Sequence, residues 1–169
     1  MADESAILDA RPELLAFPYK VAVTAAGSYE ASTAGVDFVV SGSIAGDIAV
    51  TASETCRVTL SGATVAGTIA IDGDAQLWLV GDSEIATTEA SAVTSTGTLT
   101  IGGPGTLAAS APGAKKTGVI AGVNLVVAGG PTTLTIDSPA AKNASGVSLS
   151  GNYTQLAGTL KIEGESGDY

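Results

Sequence analysis

Four carboxylates in one short segment are the residues of this chain best suited to bind a metal ion. The segment Ile71–Ile85 reads IDGDAQLWLVGDSEI and contains Asp72, Asp74, Asp82 and Glu84. Carboxylate oxygens are the ligands that Ca²⁺ prefers, so adjacent turns of chain that bring the four together would form a calcium site. Asp-Gly-Asp is also common in solvated turns, and the spacing is not that of an EF-hand. We therefore expect a solvated turn and no cofactor, with a calcium ion held by these four carboxylates as the alternative.

The single tryptophan offers a second kind of chemistry. Alternation along the strand-like piece 76–80 places Trp78 on the side opposite Leu77 and Leu79. An outward tryptophan on a flat β-face can stack on a sugar ring, so Trp78 is a candidate glycan contact. A tryptophan in the core or in a protein interface is the more frequent case.

The missing residue types exclude several catalytic and metal chemistries. The chain has no histidine and one cysteine, Cys56. It can therefore form neither a Ser-His-Asp nor a Cys-His catalytic group, and no internal disulfide. Glycoside hydrolysis needs two acids that face one cleft, and the repeat region offers only Asp137 and the terminal Glu163, Glu165 and Asp168. The basic residues Lys115, Lys116 and Lys142 have no acidic companions. We therefore expect that the protein is not an enzyme.

The charge lies almost wholly in the first half of the chain. Residues 1–89 hold 13 acids and 3 bases, whereas residues 90–169 hold 4 of each, for a net charge of -10. This excess of acid argues against nucleic acid as a partner, because such binding rests on phosphate neutralisation. No apolar run reaches the length of a membrane span. We interpret the acidic half as a solvated surface that keeps the protein soluble. The alternative is that the acidic half binds cations or that the neutral half contacts a partner.

Three segments of the second half align as repeats: 92–107, 118–136 and 146–162. Each reads as three short strands separated by turns rich in small residues. The alignment matches Val93, Val119 and Val147; Leu99, Leu125 and Tyr153; Leu107, Leu134 and Leu160; and Thr98, Asn124 and Asn152.

A repeat of 26 to 28 residues predicts one three-sided coil of chain. Stacked coils would bury a column of Val, Leu and Ile, and stacked Asn side chains could hydrogen-bond along a corner. We therefore predict an all-β protein with a short right-handed parallel β-helix (a β-solenoid). Strand-like pieces at 37–40, 47–52, 57–60, 68–71 and 76–80 continue the pattern more weakly and would also fit hairpins. An antiparallel sandwich is the alternative fold.

The first twenty residues differ from the rest, and we divide the chain into an N-terminal arm or cap (1–20) and a solenoid domain (21–169). Ser5 could cap a single helical turn over residues 5–10, which Pro12 would interrupt. The arm either covers an open end of the solenoid or docks onto a neighbouring subunit. The apolar residues that would make that contact are Leu8, Leu14, Leu15, Phe17 and Tyr19.

Three Gly-rich pieces of the second half follow a common pattern: GTLTIGGPGTL (97–107), GVIAGVNLVVAGG (118–130) and GTLKI (158–162). On these pieces, the chain from about residue 66 to residue 164 resembles a bacterial family of secreted carbohydrate-binding right-handed β-helices. The resemblance implies a solenoid fold, binding of pectic polymers and use of bound calcium.

These observations together favour a non-catalytic structural or display module. The first residues lack the basic region and apolar run of a signal peptide, and an apolar arm precedes a shaft of small residues. We expect a decoration or fibre protein of a virion or other particle, located on that particle or on an extracellular surface. Its expected partners are other protein subunits, in a homo-oligomer such as a trimer or in an assembly lattice. The alternative is a cell-surface carbohydrate-binding module, assisted by calcium.

Overall fold

The structure is a computed structural model that describes residues 16–88, 91–111, 118–138 and 145–164. The described residues form 17 β-strands and no helix, and every strand pairing among them is parallel. The chain is a β-solenoid of about five turns, which confirms the predicted all-β fold and excludes the antiparallel sandwich. None of the described elements is a helix that could cross a membrane.

The strands stack into three faces, each built from one strand per coil. Face 1 consists of β2 (Gly27–Ala31), β4 (Ile48–Ala52), β6 (Ile69–Asp72), β9 (Val93–Ser95), β12 (Gly118–Gly122) and β15 (Ser145–Leu149). Face 2 consists of β1 (Tyr19–Val23), the first halves of β3 (Val36–Ala45) and β5 (Cys56–Ala66), then β7 (Ala75–Val80), β10 (Thr98–Gly102), β13 (Asn124–Val127) and β16 (Tyr153–Gln155). Face 3 consists of the second halves of β3 and β5, then β8 (Asp82–Ala86), β11 (Thr106–Ser110), β14 (Thr133–Ser138) and β17 (Thr159–Gly164).

Alternation along each strand separates the core from the surface. In β7, Leu77 and Leu79 are fully buried inside the coil, whereas Trp78 points outward, as predicted. Stacking places each inward side chain on the one below it, as in the row Val58, Leu77 and Ile101. Strands 3 to 11 residues long thereby share one continuous apolar column, which no single coil could form alone.

Glycines with left-handed backbone conformations form the corner between faces 2 and 3. Gly42, Gly62 and Gly81 have φ angles of 72°, 57° and 70°, which side chains with a Cβ adopt only at a cost. In β3 and β5 the strand runs through this corner without a break, and the register shifts between Ser41 and Ser43. The glycine lets the chain turn while its backbone groups keep pairing with the next coil.

The register confirms most of the predicted repeat alignment and corrects one row. Leu99, Leu125 and Tyr153 are paired, as are Leu107, Leu134 and Leu160. On face 1, however, the residue between Val93 and Val147 is Ile120 and not Val119. Val119 and Ile120 are both apolar and both buried, so hydrophobicity alone did not distinguish them.

The coils grow along the solenoid. Paired residues on face 3 are 21 residues apart at Ile44 and Val65 and 27 apart at Ala109 and Ile136. The added residues lie between faces 3 and 1, where two residues connect β3 to β4 but seven connect β11 to β12. The first coil is smaller still, because residues 24–26 lead directly from β1 on face 2 to β2 on face 1. That coil therefore has no strand on face 3.

The described chain begins with residues 16–18, ahead of β1. Strand β1 starts at Tyr19, two residues before the predicted boundary between arm and solenoid. Leu8, Leu14, Leu15 and the predicted helical turn over 5–10 lie outside the described residues.

The buried column predicts a large effect from a single inward truncation. Leu77→Ala should lower the free energy of unfolding by about 2–5 kcal/mol, because it leaves a cavity between coils. The outward substitution Thr100→Ala on the neighbouring strand should change it by less than about 0.5 kcal/mol. Urea unfolding followed by circular dichroism measures both. Equal effects of the two substitutions would contradict the assignment of inward and outward sides.

Candidate functional site

Three of the four predicted calcium ligands accept hydrogen bonds from the next coil. Asp72 Oδ1 accepts the Thr96 hydroxyl at 2.6 Å, and Asp82 Oδ1 accepts the Thr106 hydroxyl at 2.7 Å. Asp74 Oδ1 accepts the backbone N–H of Thr98 at 2.7 Å. In every case the donor residue follows the acid by 24 residues, which is one coil. These carboxylates therefore hold neighbouring coils in register.

The fourth predicted ligand, Glu84, lies apart from the first two. Asp72 and Asp74 flank the corner between β6 and β7, whereas Asp82 and Glu84 lie on β8 of face 3. Glu84 lines an open groove on that face together with Asp137 and Glu163. No three His, Cys, Asp or Glu residues in the described ranges are grouped so that they could hold a metal ion. The calcium site stays a prediction, and the structure shows another role for three of its residues.

A polar ladder runs along the corner between faces 1 and 2, as the repeats predict. Asn124 Nδ2 donates to Thr98 Oγ1 at 3.4 Å, and Asn124 Oδ1 accepts the backbone N–H of Asn152 at 2.9 Å. Asp74 extends the ladder by one coil through its bond to the Thr98 N–H. The sequence signal for these bonds was an aspartate followed 24 residues later by a threonine, as at Asp74 and Thr98. This spacing could have shown that the aspartates bond the next coil.

An aromatic and cationic stack covers part of the outer surface of face 2. The guanidinium of Arg57 lies over the indole of Trp78, with Cζ 4.5 Å from the ring centroid, and also over the Phe17 ring, at 4.6 Å. Both distances are within the range of cation–π attraction. Phe17 is buried, so the residues just before β1 pack on the outside of their own solenoid. Glycan stacking by Trp78 and subunit docking by Phe17 stay predictions.

Charges and hydrogen bonds surround this stack. Arg57 donates from Nε and Nη2 to Gln76 Oε1 at 3.2 and 2.9 Å. The buried Asp37 carboxylate pairs with Lys20 and accepts the Thr59 hydroxyl at 2.7 Å. Burial lowers the pKa of Arg57 below its usual value, while the Asp37 charge raises it. Arginine remains charged in proteins, so the cation in the stack persists at neutral pH.

The only cysteine is part of the core. Cys56 points inward at the start of β5 and is fully buried. Burial raises the pKa of its thiol to about 11. At neutral pH the thiol is therefore protonated and shielded from reagents.

The C-terminal end of the solenoid exposes apolar side chains that earlier coils bury. Ile162 is 50% exposed, whereas Ile136, its partner one coil earlier, is fully buried. Tyr153 is 42% exposed and Leu156 is 55% exposed, while Leu125 beneath Tyr153 is buried. We call this surface the open end; its apolar residues are Val147, Leu149, Tyr153, Leu156, Leu160 and Ile162.

Three strand edges surround the open end. Strands β15, β16 and β17 each pair with a strand on only one side among the described residues. Their outer N–H and C=O groups form an edge on which another strand can pair. Within the rim, the Tyr153 hydroxyl donates to Gln155 Oε1 at 2.8 Å, and Gln155 Nε2 donates to the Gly158 carbonyl at 2.9 Å. The open end thus combines apolar side chains with unpaired backbone edges.

The N-terminal end is partly closed by the chain itself. The Tyr29 ring lies 5.9 Å from the Phe38 ring, centroid to centroid, and its hydroxyl donates to the Ala25 carbonyl at 2.7 Å. Phe38 and Val23 are consequently buried, although Tyr19 on β1 is 62% exposed. The N-terminal end is therefore partly covered by Tyr29, whereas the open end exposes Tyr153, Leu156 and Ile162.

No protein-family model matches the chain, and neither curated proteins nor solved structures give a significant match to it. The two outer surfaces with distinctive chemistry are the stack on face 2 and the open end.

Sequence reasoning missed the open end. Tyr153, Leu160 and Ile162 align with buried residues of earlier repeats, so their pattern indicates core positions. The hydrophobic pattern alone carries no signal of their exposure, because it is the same as at the buried positions one coil earlier.

Substitutions at Asp74 separate a hydrogen-bonding role from a calcium role. Asp74→Asn keeps an Oδ1 acceptor for the Thr98 N–H, so we expect a free energy of unfolding close to that of the unaltered chain. Asp74→Ala removes the acceptor and should cost about 1 kcal/mol. Thermal unfolding with calcium and with chelator measures both. A chelator that lowers the Tm of the unaltered chain, with Asp74→Asn behaving like Asp74→Ala, would instead support calcium binding.

Truncation of Phe17 tests the stack on face 2. Phe17→Ala should lower the free energy of unfolding by about 2 kcal/mol, because it exposes apolar surface and removes a cation–π contact. Trp78 is the only tryptophan, so acrylamide quenching of its fluorescence should increase. Tyr19→Ala, at an exposed aromatic two residues away, is the matched control and should leave the quenching unchanged. Unaltered quenching in Phe17→Ala would show that the stack does not form.

Proposed function

We propose that this protein is a non-catalytic structural module that adds a rigid β-solenoid to a larger assembly of protein subunits. The observation that carries the proposal is the open end, where half-exposed Tyr153, Leu156 and Ile162 lie beside three strand edges that no other described strand pairs with. Exposed apolar patches rimmed by polar groups mark contact surfaces, and unpaired edges are templates for strand addition.

The shaft behind the open end supports a structural role. Its backbone is paired from coil to coil along all three faces, and corner residues from Asp74 to Asn152 add side-chain bonds along the same axis. Such a solenoid is rigid along its axis, because each coil is fixed on its neighbour.

The concrete form of the proposal is a decoration or fibre protein of a virion or another particle. In such a setting the open end makes the subunit contact, and the three outer faces are displayed. The acidic first half then keeps the displayed part soluble, because like charges oppose association.

The assembly state tests this function. In light scattering coupled to size-exclusion chromatography, we expect the unaltered chain to have a mass above the 16.4 kDa of one copy. Ile162→Lys should reduce the mass to that of one copy, because it places a charge in the contact.

Val80→Lys is the matched control, because Val80 is 40% exposed but lies on face 2, away from the open end. It should assemble like the unaltered chain. An unaltered chain that stays a monomer up to about 1 mM, the Kd of a very weak contact, would contradict the proposed function. Equal effects of the two substitutions would also contradict it.

A further inference from the structure

We propose that the step from Asp72 to Gly73 is a site of spontaneous covalent modification, and that Thr96 of the next coil suppresses the reaction while the coils stay stacked. The modification converts Asp72 to isoaspartate, in which the backbone runs through the side-chain carboxyl group. Three observations support it: the Asp-Gly step itself, the backbone conformation at Gly73, and the hydrogen bonds of Thr96.

Among the steps that begin with aspartate, Asp-Gly is the most prone to this reaction, because glycine has no side chain to shield its backbone nitrogen. The chain contains one Asp-Gly step, at residues 72 and 73, and no Asn-Gly step. The Gly73 nitrogen loses its proton and attacks Cγ of Asp72, and the protonated carboxyl group releases one oxygen as water. The succinimide ring so formed takes up water at either carbonyl, which gives aspartate or isoaspartate. One water leaves and one is added, so the reaction needs no oxidant, reductant or cofactor.

The corner between β6 and β7 accepts only glycine after Asp72. Gly73 has a φ angle of 118°, in the region that side chains with a Cβ rarely adopt. A Cβ at this position would also lie 2.3 Å from the carbonyl oxygen of Ala52 in the coil below, which is closer than nonbonded atoms approach. A bulkier residue that would shield the nitrogen therefore does not fit, and the labile step is imposed by the close stacking of the coils.

Thr96 binds both groups that would react. Its hydroxyl donates to Asp72 Oδ1 at 2.6 Å and accepts the Gly73 N–H at 3.0 Å. Its backbone N–H donates to the Ile71 carbonyl at 3.0 Å, and Asp72 itself pairs with Thr51 in the coil below. Neither the carboxylate nor the amide can turn toward the other without breaking its bond to the Thr96 hydroxyl.

The barrier to reaction is therefore the local opening of this corner. Asp72 and Thr96 are both exposed, so water reaches the step, and the hydroxyl of Thr96 is what holds the reacting groups in place. Local openings of this kind cost less than global unfolding. Isoaspartate lengthens the backbone of the corner by one carbon atom, so a modified chain should no longer hold β7 in register on β5.

Removal of the Thr96 hydroxyl tests the suppression. Thr96→Val keeps the branched shape of the side chain but loses both hydrogen bonds, so the corner should open more often. We expect isoaspartate at residue 72 to form about tenfold faster than in the unaltered chain, as the loss of two hydrogen bonds implies. An isoaspartate-specific carboxyl methyltransferase labels the product, and peptide mapping locates it; circular dichroism checks that the variant is folded.

Thr106→Val is the matched control. The Thr106 hydroxyl donates the same kind of bond to Asp82 Oδ1, at 2.7 Å, but Asp82 is followed by Ser83 and not by glycine. The control should leave the rate at Asp72 unchanged. An equal rise in Thr96→Val and Thr106→Val would show that general destabilisation opens the corner, which overturns the specific role of Thr96.

The unaltered chain unfolded in guanidinium chloride separates the site from its protection. Thr96 cannot hold the step in the unfolded chain, so isoaspartate should form there at least as fast as in folded Thr96→Val. Absence of isoaspartate at residue 72 in the unfolded chain overturns the modification site. Equal rates in the folded unaltered chain and in folded Thr96→Val overturn the suppression by Thr96.

Asp72→Asn provides a second readout with a change of mass. The substituted side chain keeps an Oδ1 acceptor for the Thr96 hydroxyl, and it forms the same succinimide with loss of ammonia in place of water. Mass spectrometry then detects the exchange of the amide for a carboxylate. The conversion should be about tenfold faster in the double variant Asp72→Asn with Thr96→Val than in Asp72→Asn alone. Equal rates in the two variants overturn the role of the Thr96 hydroxyl.

Discussion

Each inner coil of this protein satisfies its backbone hydrogen bonds through the coil before it and the coil after it. Among the described strands, none pairs with its neighbour in the sequence; β7, for example, bonds β5 and β10. The rest of the structure depends on this constraint. Successive coils must lie directly over each other, so inward positions form continuous rows such as Leu107, Leu134 and Leu160, and small residues must occupy the corners where the chain turns.

The same constraint explains the outer polar residues. Carboxylates in the acidic half are placed where the next coil supplies a donor, as with Asp72 and Thr96 or Asp82 and Thr106. Such contacts act across about 4.7 Å, the distance between neighbouring strands. They reinforce the register that the backbone sets, so a cluster of acids typical of an ion site in the sequence serves coil stacking in the structure. The Arg57 stack works similarly, because it joins β5, β7 and the residues before β1.

A solenoid also has two ends at which this backbone pairing stops. The two ends of the solenoid differ. At the N-terminal end the Tyr29 ring packs on Phe38, whereas at the C-terminal end Tyr153 and Ile162 are half-exposed. At the first end the edge strands are β1, β2 and the second half of β3, whereas at the last end they are β15, β16 and β17, among the residues that the structure describes. The two ends thus differ in which side chains they expose, whereas the core is the same kind of apolar column throughout the described coils.

The sequence by itself determined the all-β solenoid, its three-sided coil and the outward position of Trp78, because alternation and repeat length are periodic and can be read without knowing any contact. It also identified the ladder at Thr98, Asn124 and Asn152. Only the tertiary structure decided that Ile120 and not Val119 stacks between Val93 and Val147, that Phe17 covers Arg57, and that the last coil is exposed. Those outcomes depend on the number of residues in each corner, because this number determines which residue lies one coil away. A shift of one residue exchanges Ile120 for Val119, which keeps the position apolar but changes its neighbours.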